Sequence, residues 1–166
     1  MTAAIGTAKN PAMAETTGKE SAALADFAAG LRYEDIPQAV IDRTVDFFVD
    51  WAGSTLSGRG QRAIAALEKF AELMGPAEGR SEILVSRSTT SPLFAALVNA
   101  AASHISEQDD VHNGSVFHPA AVVFPAALAT AQHVGASGRD FIAASLSPDQ
   151  VASAKARAGA WRAPRR

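Results

Sequence analysis

Apolar and polar positions alternate along the chain with a helical period. From Ser21 onward, Leu24, Phe27, Ala28 and Leu31 recur at i, i+3, i+4 and i+7, the stripe of an amphipathic helix. Asp35-Ile36-Pro37 reads as a second helix start, because proline suits a first turn where its missing N–H costs nothing. That helix is expected to run to about Leu56, with Val40, Ile41, Val45, Phe47, Phe48, Trp51, Ala52 and Leu56 apolar and Asp42, Arg43, Asp46 and Asp50 on the other face. Ser57-Gly58-Arg59-Gly60 ends it, and a third helix is expected over about 61–74, striped by Ile64, Leu67, Phe70, Leu73 and Met74 and stopped by Gly75-Pro76. Glu82-Ile83-Leu84-Val85 reads as a short extended segment or as a buried loop with no sheet partner.

Ser91-Pro92 opens an Ala-rich helix expected to reach about Ser106, whose small residues predict close helix–helix packing. Residues 107–118 break the pattern as a polar loop. Pro119 then opens another Ala/Val-rich helix to about His133, with Pro125 as an expected kink and Gly135 just past the end. His133 there is a favourable charge at a helix C-terminus. Ser137 and Asp140 have capping-box spacing, so a last helix is expected from Arg139. No strand ladder or internal repeat is visible, and the predicted fold class is all-α, a helical bundle.

Composition adds two things. Residues 1–20 carry no apolar periodicity and read as a disordered lead-in without the apolar stretch of a signal peptide. Beyond Ser145 periodicity fails: residues 147–166 hold five cations (Lys155, Arg157, Arg162, Arg165, Arg166) against Asp149 alone, leaving ten cations and sixteen anions in residues 1–146. The net charge of −2 over 166 residues therefore joins an acidic body to a basic tail. It gives no polyelectrolyte reason to expect nucleic acid as a partner. No apolar run reaches the roughly 18 residues of a membrane span. The absence of cysteine removes disulfides, thiolate metal sites and a thiol nucleophile. The expectation is a cytoplasmic protein.

Candidate chemistry is concentrated in the polar loop. Glu107, Asp109, Asp110, His112 and His118 fall within twelve residues, and His104 lies just upstream. Histidine is a natural acid–base group near neutral pH, and a carboxylate neighbour can fix its tautomer. Two other readings stand beside this one. Asp109 and Asp110 could cap a turn or the following helix, and Asp109, Asp110 and His112 could ligate a metal, although their spacing matches no closed ligand set.

The stretch LADFAAGLRYEDIPQAVIDRTVDFFVDWAGSTLSG (24–58) resembles the opening helices of the MmgE/PrpD family, which includes 2-methylcitrate dehydratase, cis-aconitate decarboxylase and iminodisuccinate epimerase. Residues 91–144 are a closer match. Family members commonly show Asp-x-Asp-Asp-Thr-His, then His-Pro opening an Ala/Val-rich helix, then Gly-Ala-Ser-Gly; here these are Glu107 to His112, His118-Pro119 and Gly135 to Gly138. The likeness spans about residues 21–144. It implies that His118 lines an active site as acid or base, with Glu107, Asp110 and His112 in the catalytic group and Asp109, Val111 and Ser115 toward substrate. Glu107 replaces the first Asp, and Val111 replaces a Thr hydroxyl.

The same resemblance implies a hydro-lyase acting on a di- or tricarboxylate such as 2-methylcitrate, with epimerase and decarboxylase as alternatives. It implies proton transfer by His and carboxylate groups with no cofactor and no metal, and a homodimer. One element of such a site is missing: between Arg87 and Arg139 there is no Lys or Arg to hold substrate carboxylates. The family's longer chains supply such groups from later helices and a second α/β domain. Accordingly this chain is expected to be a truncated representative, weakly active or inactive alone. Residues 145–166 are expected to be a frameshifted or replaced end, against the alternative of a natural short variant; a non-catalytic dimerisation module is the competing function.

Overall fold

A computed structural model describes residues 22, 25–27, 29–113 and 116–146. The expected lead-in at 1–20, the stripe residues Leu24 and Ala28, Ser115 and the basic tail lie outside the described residues. The chain divides into two units, residues 1–31 and 32–166. In the first, residues 22, 25–27 and 29–30 are helical, and the Leu31 N–H donates to the Phe27 carbonyl at 3.0 Å.

The second unit opens with a short 3-10 turn, Tyr33–Asp35. Five α-helices follow: α1 (Gln38–Ser57), α2 (Arg62–Met74), α3 (Pro92–His104), α4 (Pro119–Val134) and α5 (Gly138–Ser145). Their ends are set by the punctuating residues. Pro92 and Pro119 occupy first turns. Gly135 closes α4 with φ 70°, a left-handed conformation open to glycine at no steric cost. Ser137 and Asp140 form the reciprocal capping box of α5. Helix α4 is continuous through the buried Pro125.

The core has two parts. Ile64 and Ala71 of α2, Ala95, Val98 and Ala102 of α3, Ala129 of α4 and the loop residues Ile83 and Val85 form one. Trp51 of α1 with Ala120 and Phe124 of α4 forms the other, lined by Phe47, Phe48 and Phe141. Full burial of one such aromatic contributes about 2–3 kcal/mol. The most extensive packing is α3 against α4, as their small residues predict, followed by α1 against α3. Gly58 permits the second: a Cβ there would lie 2.5 Å from the Ala102 carbonyl oxygen.

Three expectations need correction. A strand ladder does exist: β1 (Ser81–Glu82) pairs antiparallel with β2 (Thr89–Thr90). Only two residues pair on each side: the chain then turns, with Ile83 N–H donating to the Ser88 carbonyl and Arg87 N–H to the Ile83 carbonyl, both at 2.8 Å, and helix groups satisfy other positions of the segment. The Asn99 side chain of α3 accepts from Leu84 N–H at 2.9 Å and donates to Glu82 carbonyl at 2.8 Å. Gln132 of α4 accepts from Glu82 N–H, and Ser81 donates to the Ala129 carbonyl. Second, the α2 stripe is buried only through Ile64, Leu67 and Ala71. Phe70, Leu73 and Met74 remain exposed: Ile64, Leu67 and Ala71 make the face turned to the core, and Phe70, Leu73 and Met74 lie beside it, with Phe70 meeting the Phe94 ring of α3 edge to face. Third, Val45 and Leu56 of α1 are exposed, so the buried face of α1 is narrower than its apolar stripe.

Candidate functional site

The polar loop joins the C-terminus of α3 to the N-terminus of α4, the two most closely packed helices. Its two arms are tied by an antiparallel bridge, with His112 N–H donating to the Phe117 carbonyl at 2.8 Å. Ser106 meets Ser57 hydroxyl to hydroxyl, tethering the loop to the end of α1. Two non-glycine residues in the loop, Glu107 and Val116, hold left-handed backbone with φ 49°. For the β-branched Val116 that is a sterically costly conformation.

At the base of the loop sits Asp109, with its carboxylate fully buried between two imidazoles. His104, the last residue of α3, places Nδ1 3.0 Å from Asp109 Oδ2 and 3.2 Å from Oδ1. His118, immediately before α4, places Nδ1 3.4 Å from the same Oδ2, close enough for ion pairing but without hydrogen-bond alignment. His118 Nδ1 is thus buried without a partner. The two rings pack edge to face, with centroids 4.7 Å apart. Sequence alone pointed to His118 and Asp109 but left His104 outside the site. Its signal was its place at a helix end, five residues before the buried acid.

Asp110 faces the other way and caps α4: its Oδ1 accepts the Ala120 N–H at 3.0 Å, where His118, in the capping position, offers no side-chain acceptor. Burial pushes the Asp110 carboxyl above the ordinary aspartate range. The Ala120 hydrogen bond opposes that, the neighbouring Asp109 adds to it, His118 opposes it and Asp50 of α1 adds slightly. Glu107, Val111 and His112 are exposed on the loop's outer side. A cleft on the α1 face that holds Asp50 is lined by Arg43, Asp46, Phe47 and Asp50, about 390 Å³. With two acids to one arginine, it is a poor receptor for polycarboxylates.

A sequence profile of the MmgE/PrpD N-terminal domain matches residues 22–156. The chain belongs to the MmgE/PrpD family. The match takes in every helix of the second unit and the whole polar loop, and it continues past Ala144, so the first residues of the basic tail fall inside it. It concerns the N-terminal domain of the family. No curated protein matches the chain. The mostly helical architecture, with its single two-residue ladder, agrees with the all-α expectation. Among the described residues no helix is long and apolar enough to cross a membrane.

Proposed function

We propose that this chain carries the acid–base edge of an MmgE/PrpD-type lyase, a cytoplasmic hydro-lyase acting on a di- or tricarboxylate such as 2-methylcitrate. The observation that carries this reading is the buried Asp109 carboxylate facing Nδ1 of His118. A carboxylate on one ring nitrogen favours the tautomer with its proton on that side. It leaves Nε2, on the opposite edge of the imidazole, as the basic atom. His118 is one-third exposed, so that edge can meet a substrate. In a dehydration, Nε2 takes the acidic proton beside a carboxyl-stabilised carbon, the electron pair forms the C=C bond and hydroxide leaves with a proton from a second acid. Glu107 is an exposed candidate for that acid. Asp109 is the positioning residue, whereas the sequence reading put Asp109 toward substrate and gave Glu107 and Asp110 the task of orienting His118 or handling the second proton.

The loop's own charge repels a polycarboxylate, so substrate binding depends on cations outside residues 88–138. We therefore expect low turnover from the chain alone and higher turnover once those groups are supplied. The test is proton–deuterium exchange into 2-methylcitrate, cis-aconitate and iminodisuccinate, with the chain and its His118→Ala variant. Exchange with one substrate, reduced about 10²–10⁴-fold by the substitution, is the expected result. Absence of exchange with all three, or exchange indifferent to His118, overturns the reading; the substrate that exchanges decides between dehydratase, decarboxylase and epimerase.

A second reading is a helical dimerisation module. Phe70, Leu73 and Met74 of α2 share one helical face and are exposed, as are Leu93 and Leu97 of α3. Phe70 and Phe94 stand 5.7 Å apart, which brings the two faces together. Contiguous exposed apolar groups favour association. Sedimentation of the chain against a Leu73→Lys/Leu93→Lys variant distinguishes the cases: a dimer that dissociates on substitution supports the module, and a monomer in both refutes it.

A further inference from the structure

The loop gathers three metal-ligating donors from three separate positions: the end of α3, the loop base and the start of α4. The donor atoms of His104, Asp109 and His118 all lie within 4.8 Å of one another. We propose that these three side chains form a binding site for a divalent transition-metal ion of the zinc type, with the remaining coordination position open to water or an added ligand. The inference rests on donor geometry and not on the lyase reading, and an ion there would take the place of the proton that reading puts on His118 Nδ1.

Distances favour it. A tetrahedral ion with bonds of about 2.0–2.2 Å to nitrogen and oxygen needs donors about 3.3–3.6 Å apart. Asp109 Oδ2 already stands 3.0 Å from His104 Nδ1 and 3.4 Å from His118 Nδ1. Closure therefore requires the two imidazoles to approach each other, and His104, with about half its side chain exposed, has room to turn. The His118 Nδ1 atom is buried without a hydrogen bond, and a metal would give its lone pair the partner it lacks. Two imidazoles with one carboxylate suit zinc, nickel or copper better than magnesium or calcium, which prefer all-oxygen shells.

Electrostatics point the same way. Glu107, Asp109 and Asp110 lie within four residues, in a segment without Lys or Arg from 88 to 138. Such a local field attracts a cation and is relieved by one. The ligand set also differs from the Asp109, Asp110 and His112 grouping that spacing suggests. Asp110 is committed to the Ala120 N–H, and the donor cluster among the described residues contains His104 in place of His112.

The probe is metal alone. Chelator-stripped protein is titrated with Co²⁺, followed by its visible ligand-field absorption, and with Zn²⁺, followed by calorimetry. One ion per chain with a low-coordinate cobalt spectrum is expected. His104→Ala, at a half-exposed helix end, should keep its helical circular dichroism and lose affinity at least about tenfold. Asp109→Asn should do the same, while His112→Ala and His133→Ala should bind as the parent does. A folded parent chain that gives neither signal overturns the site. So does full affinity in folded His104→Ala, or a loss that instead follows His112 or His133.

Discussion

Two long connectors flank α3, and they bury different kinds of polar group. The connector from Gly75 to Ser91 sends four side chains inside: Ser81, Ile83, Val85 and Thr90 are buried. Its buried backbone is answered by neutral, well-matched groups, with Asn99 and Gln132 reaching in from α3 and α4. The connector from Ile105 to His118 is mostly exposed, and among its described residues the one buried polar side chain, Asp109, is ionisable. That carboxylate has two imidazole neighbours, only one of which is hydrogen-bonded to it. Both loops contain non-glycine residues in left-handed backbone, Arg87 in the first and Glu107 and Val116 in the second. Strain alone therefore does not separate a functional loop from a structural one. The separation lies in the fully buried Asp109 carboxylate and its two imidazoles: the first connector also leaves a buried hydroxyl, Thr90 Oγ1, without a partner, but its Glu82 carboxylate is partly exposed and pairs with Arg87 at 2.7 Å.

That contrast is open to measurement. Asn99→Ala should have the largest effect, because it strands a buried N–H and a buried carbonyl together; a loss of about 3 kcal/mol in urea unfolding is expected. Ser81→Ala removes a single buried donor and should cost about 1 kcal/mol in the same assay. The two capping aspartates give a smaller, pH-dependent pair. Hydrogen bonds from the Ser137 side chain and backbone N–H lower the exposed Asp140 carboxyl, so its contribution is present above the ordinary value of 3.8 and lost as pH falls through the lowered one. Asp140→Asn should therefore be less stable than the parent at neutral pH and converge with it in acid.

Asp110 has the opposite sign. Burial raises its carboxyl, so its favourable contribution exists below 3.8 and disappears as pH rises through the raised value. Asp110→Asn, which keeps an acceptor for Ala120, should match the parent in acid and exceed it slightly at neutral pH. Thermal melts of both variants in chelator across pH 3–8 check the crossing signs. The smallest effect should come from His118→Ala, whose Nδ1 has no hydrogen bond to lose; a change within about 0.5 kcal/mol is expected. A cost like that of Asn99→Ala would make the second connector structural too, and the contrast would fail.

Most helices were legible because their ends are written in residue types with special backbone needs. Pro92, Pro119, Gly135 and the Ser137–Asp140 pair mark boundaries that hydrophobic period alone leaves loose. The β1–β2 ladder was not legible, since the groups that hold Glu82 and Leu84 come from Asn99 and Gln132 in distant helices. Periodicity identified the apolar stripe of α2 but could not say which of its positions the neighbouring helix covers, and Phe70, Leu73 and Met74 stay outside the core while Ala71 lies within it. At the loop, composition found the acids and His118. It could not find that Asp110 turns toward Ala120 while Asp109 turns toward two histidines, because adjacent residues diverge according to tertiary packing. His104 was hidden by belonging to a regular helix.

Gly58 gives this geometry an unexpected handle. It touches the Ala102 backbone two residues before His104, at a separation that admits no methyl group. Any larger residue must push the end of α3 away from α1, carrying the His104 imidazole relative to Asp109. A graded series at this one remote position would therefore act as a mechanical dial, changing the spacing of the histidine pair while every side chain of the cluster keeps its chemical identity.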